Sequence, residues 1–418
     1  MDQRSTTEDP AIQEAPATSA GATTTEQPDP WVLGLERVLA EIDQGRPGPT
    51  VLVQGGIHGN EPGGVHALQR ILRDLEERDV EIHGRLVACV GNLRALRSKL
   101  RYLAGDLNRR WLPGVVDRLA AQDPQLDDPE DQEQRELLEL YQRLDAERSG
   151  PMVFLDLHSS SADGPPFTCM ADTIPNRRVA DQIPNPMILG LEECIDGAVM
   201  DWFNRRGQIA IAFEGGQHDA PETIDNLEAC TWLALAAVGV LAQKDVDIAK
   251  HRRHLKHVSR GTSHLIAVQK RHAIRPEDRF VMVPGYVNFQ PIEKGELLAQ
   301  DATGEVRAER SGMVLLPLYQ GQGNDGFFFA REVPRFWFRL SIYLRRLRLG
   351  HLLHWLPGVN RDNGDPHSLI VDPRIARFWV VQVFHLFGFR RERARSDGLL
   401  SFSRRRARSE SWTVRPRR

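Results

Sequence analysis

The chain has 418 residues, of which 41% are hydrophobic and 27% charged, and a formal net charge of −3. That length can bury a sizeable core and hold more than one folded unit, and the near-neutral balance excludes a general polyanion binder. Four widely spaced cysteines with no CxxC pair exclude a disulfide scaffold and point to a reducing, cytoplasmic setting. No apolar core of a signal peptide is visible near the start, and no uninterrupted apolar run is long enough for a spanning helix.

Residues 1–30, rich in Thr, Ala, Pro, Glu and Gln, bury too little surface to offset ordering entropy and are expected to be disordered. From Trp31 the texture is globular. Apolar runs at Thr50–Gln54, Leu86–Val90, Val153–Leu157 and Ile209–Phe213 read as buried strands. Between and after them, Val65–Leu75, Gln134–Leu144 and Cys230–Leu241 carry helical spacing, and a charged stretch, Lys244–Arg260, follows. Strands alternating with helices predict a three-layer α/β domain over residues 31–245. From 260 to 333 the segments are short, β-prone and punctuated by turns (Val281–Pro284, Gly285–Phe289, Gly295–Ala299, Gly312–Leu318, Gly326–Ala330), which predicts a small all-β domain. Residues 334–390 interleave Trp, Phe and Leu with Arg, and 391–418 read as a disordered basic tail. From Pro334 to the end there are nineteen Arg and no Lys against six acids, so the rest of the chain is acidic.

Three strand ends carry candidate chemistry. In Val51-Leu-Val-Gln-Gly-Gly-Ile-His58-Gly-Asn-Glu61-Pro a strand runs into a glycine-rich turn, where α/β folds place their ligands. An imidazole and a carboxylate with two residues between them can converge on one cation; zinc accepts both at about 2.0–2.2 Å, wants a further protein ligand and leaves a position for water. Taken alone, the same pair also fits a tight turn. His158, ending the strand Phe154-Leu-Asp156-Leu-His158, offers the third ligand, and Asp156 on the same strand face can orient it. Glu214 ends a further strand before two glycines; beside zinc it is a general base, and otherwise a solvated acid. In Arg101-Tyr-Leu-Ala-Gly-Asp106-Leu-Asn108-Arg109, an Arg fork with Asn beside it suits a carboxylate, and Arg101 suits a developing oxyanion. His66, His83, His218, His251, His254 and His257 have no matching partner at a strand end and read as structural.

HGNE at His58–Glu61, RY…DLNR at Arg101–Arg109, DLH at Asp156–His158 and FEGG at Phe213–Gly216 resemble the succinylglutamate desuccinylase/aspartoacylase family of the wider zinc carboxypeptidase-like superfamily. The likeness runs from about Val51 to Leu241 and more loosely to about Val333. It implies a mixed sheet capped by the β domain, one zinc per chain on His58, Glu61 and His158, and Glu214 as general base and later proton donor. It implies that Arg101 polarises the acyl carbonyl, that Asn108 and Arg109 hold the carboxylate of a small-molecule N-acyl amino acid, and that the amide is hydrolysed. Three departures touch specificity: Leu316 before Pro317 stands where the aspartoacylase branch has a tyrosine, only Arg205 or Arg206 is on offer for a further substrate arginine, and the loop after His158, with Gly164-Pro-Pro-Phe167, differs from that branch. A zinc carboxypeptidase and an ester hydrolase share the site and are the rival readings. From another class comes a membrane-surface or binding protein acting through the Arg/aromatic segment. No nucleic-acid module is recognisable in that segment, and a homo-oligomer is compatible with the sequence.

Overall fold

The computed structural model describes the backbone of residues 30–404 apart from 348, 363, 366, 377–379 and 395–396. The expectations of disorder for 1–29 and 405–418 therefore lie outside the described residues. Fourteen strands precede the C-terminal segment: β1 Val38–Asp43, β2 Thr50–Gly55, β3 Arg85–Val90, β4 Met152–Ser160, β5 Phe167–Met170, β6 Met187–Leu189, β7 Ile209–Gln217, β8 Leu265–Ala273, β9 Val281–Met282, β10 Pro291–Ile292, β11 Leu297–Asp301, β12 Gly304–Arg307, β13 Gly312–Leu315 and β14 Asp325–Glu332. Eleven of them form one mixed sheet in the order β1-β3-β2-β4-β7-β5-β6-β8-β14-β13-β10. Strands β3, β2, β4 and β7 are parallel. Strands β1 and β5 run against their neighbours β3 and β7.

Side-chain parity divides the sheet into two cores. Val51, Val53, Val153, Leu155, Ile209, Ile211 and their neighbours pack under helices α1 (Gly63–Glu77) and α4 (Pro221–Val238). The alternate residues Leu52, Phe154, Ala210 and Ala212 pack on the other face against Leu137, Tyr141 and Leu144 of helix α2 (Pro129–Glu147). Each central strand is buried on both faces, which is why its sequence reads as a continuous apolar run. Successive side chains alternate, so Asp156, His158 and Glu214 continue the second face beyond the core.

The structure corrects several sequence expectations. The helix expected at Cys230–Leu241 ends at Val238, because Gly239 takes φ 80° and closes it with a left-handed cap. The charged stretch 244–260 contains a helix, α5 (Ile248–Val258), capped by the Asp247 side chain on the Lys250 N–H. Gly285–Phe289 forms no strand, and Phe289 sits at φ 70°. The region after His264 does two things: β8, β14, β13 and β10 extend the large sheet, while β12-β11-β9 form a small separate sheet over Met282, Leu298 and Phe327.

The Arg/aromatic segment folds as helix α6 (Arg335–Arg346) followed by a four-stranded antiparallel sheet, β15 Val359–Arg361, β16 Ser368–Val371, β17 Phe389–Ala394 and β18 Leu400–Arg404, in the order β15-β16-β18-β17. β17 and β18 therefore fall where a disordered tail was expected. Buried Phe384, Phe389 and Phe402 supply the apolar contacts that the high Arg content masks in the sequence. Among the described residues no helix is long and apolar enough to cross a membrane.

A buried ion network fastens α6 to the large sheet. Asp172, just after β5, accepts from Arg177 and, at 2.8 Å, from Arg345 Nη2; the three side chains are almost fully enclosed. Asp172→Ala leaves two guanidinium groups in low dielectric without their shared anion. The expected cost is about 3–5 kcal/mol, the usual penalty for breaking a buried pair from one side. Urea unfolding checks this through the midpoint at unchanged m-value; a change below about 1 kcal/mol would mean that water already solvates the network.

Candidate metal and catalytic site

The chain leaves β2 for β3 on one side and returns to β4 on the other, so a crevice opens at the C-terminal ends of β2 and β4. His58 and Glu61 lie in the turn between β2 and α1. Gly56 at φ 71° makes the turn, and Gly64 is required because a Cβ there would sit 2.8 Å from the Leu157 Cβ. His158 and Glu214 are cross-strand partners at the ends of β4 and β7.

His58, Glu61 and His158 are buried and bring one ligand atom each within 4.8 Å of one another. Both imidazoles turn Nδ1 inward: His58 Nδ1 is 2.8 Å from Glu61 Oε1, and His158 Nδ1 is 3.1 Å from Glu61 Oε2. Each outer nitrogen faces a carboxylate. His158 Nε2 is 3.0 Å from Asp156 Oδ2, and His58 Nε2 is 3.2 Å from Asp106 Oδ1. A proton held on Nε2 by Asp156 leaves the His158 Nδ1 lone pair for a cation, while His58 Nε2 faces both Asp106 and, at 2.9 Å, the Arg101 Nη2 donor. Two imidazoles and one carboxylate suit zinc, so the donor set fits the ion that the sequence implied.

Burial alone would raise the Glu61 carboxyl, yet the His58 and His158 charges hold it well below the usual range. Burial likewise opposes ionisation of Asp106, but Arg109, His58 and Arg101 outweigh it and hold its carboxyl well below the ordinary value. Glu214 behaves oppositely. Burial pushes its carboxyl up to about 8; His158 and Arg101 oppose the shift, while Glu61 and Asp156 add to it. Its Oε2 is buried without a hydrogen-bond partner among the described residues, and Glu214 lines the same cavity as the His58/Glu61/His158 cluster. Arg101 reaches Glu61 Oε1 and Asp106 Oδ2, both at 3.3 Å, from the loop after β3.

All seven sequence-predicted site residues line one cavity of about 130 Å³, but the two expected to hold a substrate carboxylate, Asn108 and Arg109, are engaged within the protein. Arg109 donates through Nη2 to Asp325 Oδ2 at 2.6 Å and through Nη1 to the Asn108 carbonyl at 2.9 Å. Asn108 Oδ1 accepts the Val199 N–H at 2.8 Å. Asp325 itself is shared with Arg271. Leu316 lines the cavity; Arg205 and Arg206 do not, and they are occupied by Asp201 and by the Trp202 ring.

Three residues of the site escaped the sequence reading: His218 and Asp325, which line the cavity, and Asp106, which stands against His58. His218, read as structural, has Nδ1 at 2.8 Å from Ser159 Oγ and Nε2 at 3.0 Å from Gln320 Oε1. Its place just beyond the end of β7, four residues after Glu214, was the available signal. Asp106 stood inside the Arg101–Arg109 motif without a role, and Asp325 had no local signal.

A mixed sheet covered by helices on both faces, with a His/Glu/His cluster and a carboxylate at adjoining strand ends, defines an α/β domain with a candidate metal site. Residues 47–181 match the succinylglutamate desuccinylase/aspartoacylase catalytic domain, a segment that holds the three cluster residues and the Arg101–Arg109 loop but not Glu214. Curated relatives include the succinylglutamate desuccinylases of Paraburkholderia xenovorans, 36% identical over 100 residues, and of Burkholderia lata, 37% identical over 94 residues. These alignments cover 24% and 22% of this chain, and only 28% and 26% of the relatives' lengths. In fold, the chain is similar to the succinylglutamate desuccinylase of Vibrio cholerae (TM-score 0.51, 14% identity, 79% of this chain and 88% of that one). It is similar also to a succinylglutamate desuccinylase/aspartoacylase of Rhodobacter sphaeroides (TM-score 0.50, 20% identity, 69% and 87%). The family match is thus to one segment, residues 47–181, and the chain's alignments span about a quarter of the length of these curated relatives.

Proposed function

We propose that the chain is a zinc-dependent deacylase that hydrolyses the amide bond of a small, carboxylate-bearing N-acyl amino acid. The observation that carries this reading is the convergence of His58 Nδ1, His158 Nδ1 and Glu61 beside the unpartnered Oε2 of Glu214. Zinc in the cluster would polarise an acyl carbonyl and make water nucleophilic near neutral pH. Glu214 takes the proton of the attacking water at Oε2 and delivers it to the leaving amine nitrogen. Arg101 donates to the oxyanion as it develops. Asp156 and Asp106 fix both imidazoles, and the names of the curated relatives favour an acyl amino acid as substrate.

The cavity favours small substrates over a polypeptide end, because Leu316, Leu318 and Gln320 of the β region wall it to about 130 Å³. A panel of N-acyl amino acids, N-acyl peptides and esters, assayed for free amine or acid release, tests the class. Hydrolysis confined to peptides would replace this reading with the carboxypeptidase one.

Arg109 is the residue on which recognition of the carboxylate rests. Its Nη2 is held by Asp325 and its Nη1 by the Asn108 carbonyl, and the residue lines the cavity, so a substrate carboxylate would bind in exchange for one of these contacts. Lys offers a point charge without a fork, so Arg109→Lys should lower kcat/KM for the acyl amino acid by about tenfold or more, chiefly through KM. A matched substrate with its carboxylate amidated should lose far less. Equal proportional losses on both would make Arg109 a loop anchor for Asp325 and leave the carboxylate without a reader.

A further inference from the structure

A second cavity, of about 570 Å³, shares no lining residue with the catalytic one. It lies where helix α6 of the C-terminal segment covers the short helix α3 (Ile174–Ala180), helix α5 and the turn before β8. Helical spacing puts Arg335, Arg339 and Arg346 on the face of α6 that lines it. Arg252 and Lys256 approach from α5. No ion pair is found for any of these five cations among the described residues; Arg252 is held only by the Gln182 carbonyl, at 2.8 Å. The lone acid in the lining is Asp181.

Two further features mark the cavity as a built site. Ser259, 9% exposed, presents a buried Oγ with no hydrogen-bond partner to it. Its wall is fixed from behind: the Arg177 guanidinium lies 4.0 Å from the centre of the Phe338 ring and donates to the Phe338 carbonyl at 3.2 Å. An apolar strip of Pro186, Met187, Phe338 and Ile342 lies beside the charges.

We infer that this cavity binds an organic polyphosphate of about nucleotide size. Five unneutralised cations against one carboxylate call for several negative charges on a compact frame, which a di- or triphosphate supplies. Tetrahedral phosphates accept from Arg forks arriving along different walls, and the apolar strip suits an organic moiety. The volume falls within the range of small-molecule sites, about 300–1,000 Å³. Because the cations are supplied by α5 and α6 together, the ligand would clamp the C-terminal segment to the catalytic sheet.

The test is calorimetric titration of the full chain with tripolyphosphate, ADP and citrate at about 0.15 M salt, where purely surface attraction is strongly screened. Tripolyphosphate and ADP should bind, and citrate should bind at least about tenfold more weakly. Arg335→Glu/Arg339→Glu, both exposed positions, should weaken binding at least about a hundredfold, and Lys256→Ala on the opposite wall about three- to tenfold. Deacylase turnover without ligand should be unchanged in both variants. No binding of either phosphate, or binding that survives the double charge reversal, would overturn the inference. So would equal affinity for citrate, which would show a charge sink without phosphate recognition. Sedimentation with phosphatidylglycerol vesicles in the absence of soluble-phosphate binding would overturn it too, assigning the face instead to a membrane through exposed Phe336, Trp337 and Tyr343.

Discussion

Purified wild-type chain should return about one zinc per chain by elemental analysis, and His58→Ala or His158→Ala should lose metal and turnover together. With either imidazole gone, one nitrogen and one carboxylate remain, and the buried Glu61 carboxylate loses one of the two rings that hold its charge. Activity should fall to background and return only partly at high added zinc. Asp156→Asn gives a graded control. It keeps a hydrogen-bond acceptor on His158 Nε2 and removes the charge, so metal affinity or activity should drop by about 10–100-fold, as for other groups that orient a ligand. Zinc binding also stabilises the fold in proportion to its affinity, so the midpoint of thermal unfolding should rise on metal addition for wild type and not for the His variants. Stoichiometric zinc retained in the His58→Ala/His158→Ala double variant would sink the assignment.

What could be read from the sequence was what is local. His58, Glu61, His158 and Glu214 each stand at the end of an apolar run or in its following turn, and once those runs pair in parallel register their ends must coincide. Period-two alternation then puts Asp156 on the face of His158. Long-range pairings were invisible. Asp325 meets Arg109 across 216 positions, and only because β14 adds to the sheet through β8. That single contact turns a fork that looked available to substrate into one held on an internal acid. His218 was passed over because its partners, Ser159 and Gln320, come from β4 and from the loop before β14. The C-terminal strands were hidden for a different reason: their Arg content reads as solvated chain, while a few aromatic residues supply the burial.

Glu214→Gln should keep zinc bound and lower kcat by about 10²–10⁴-fold, the usual contribution of positioned acid–base catalysis. The substitution preserves shape and replaces the proton-accepting oxygen with an amide. The residue is half-buried, but its Oε2 is buried and has no hydrogen-bond partner among the described residues, so the change breaks no hydrogen bond of that oxygen. It removes a buried carboxylate that its surroundings disfavour as an anion, and stability should hold or rise slightly. The loss should therefore fall on turnover, with KM nearly unmoved, because Glu214 acts on the proton and not on the substrate's binding groups. Glu214→Asp separates position from chemistry: it keeps the carboxylate but withdraws it by one methylene, and its activity should lie between the two. The measurement is kcat and KM for both variants at matched zinc content, with an unfolding curve for each. Near-normal turnover in metal-loaded Glu214→Gln would make Glu214 a structural acid. The base would then have to be sought at His218, which lines the same cavity and whose ring hydrogen-bonds Ser159, the residue after ligand His158.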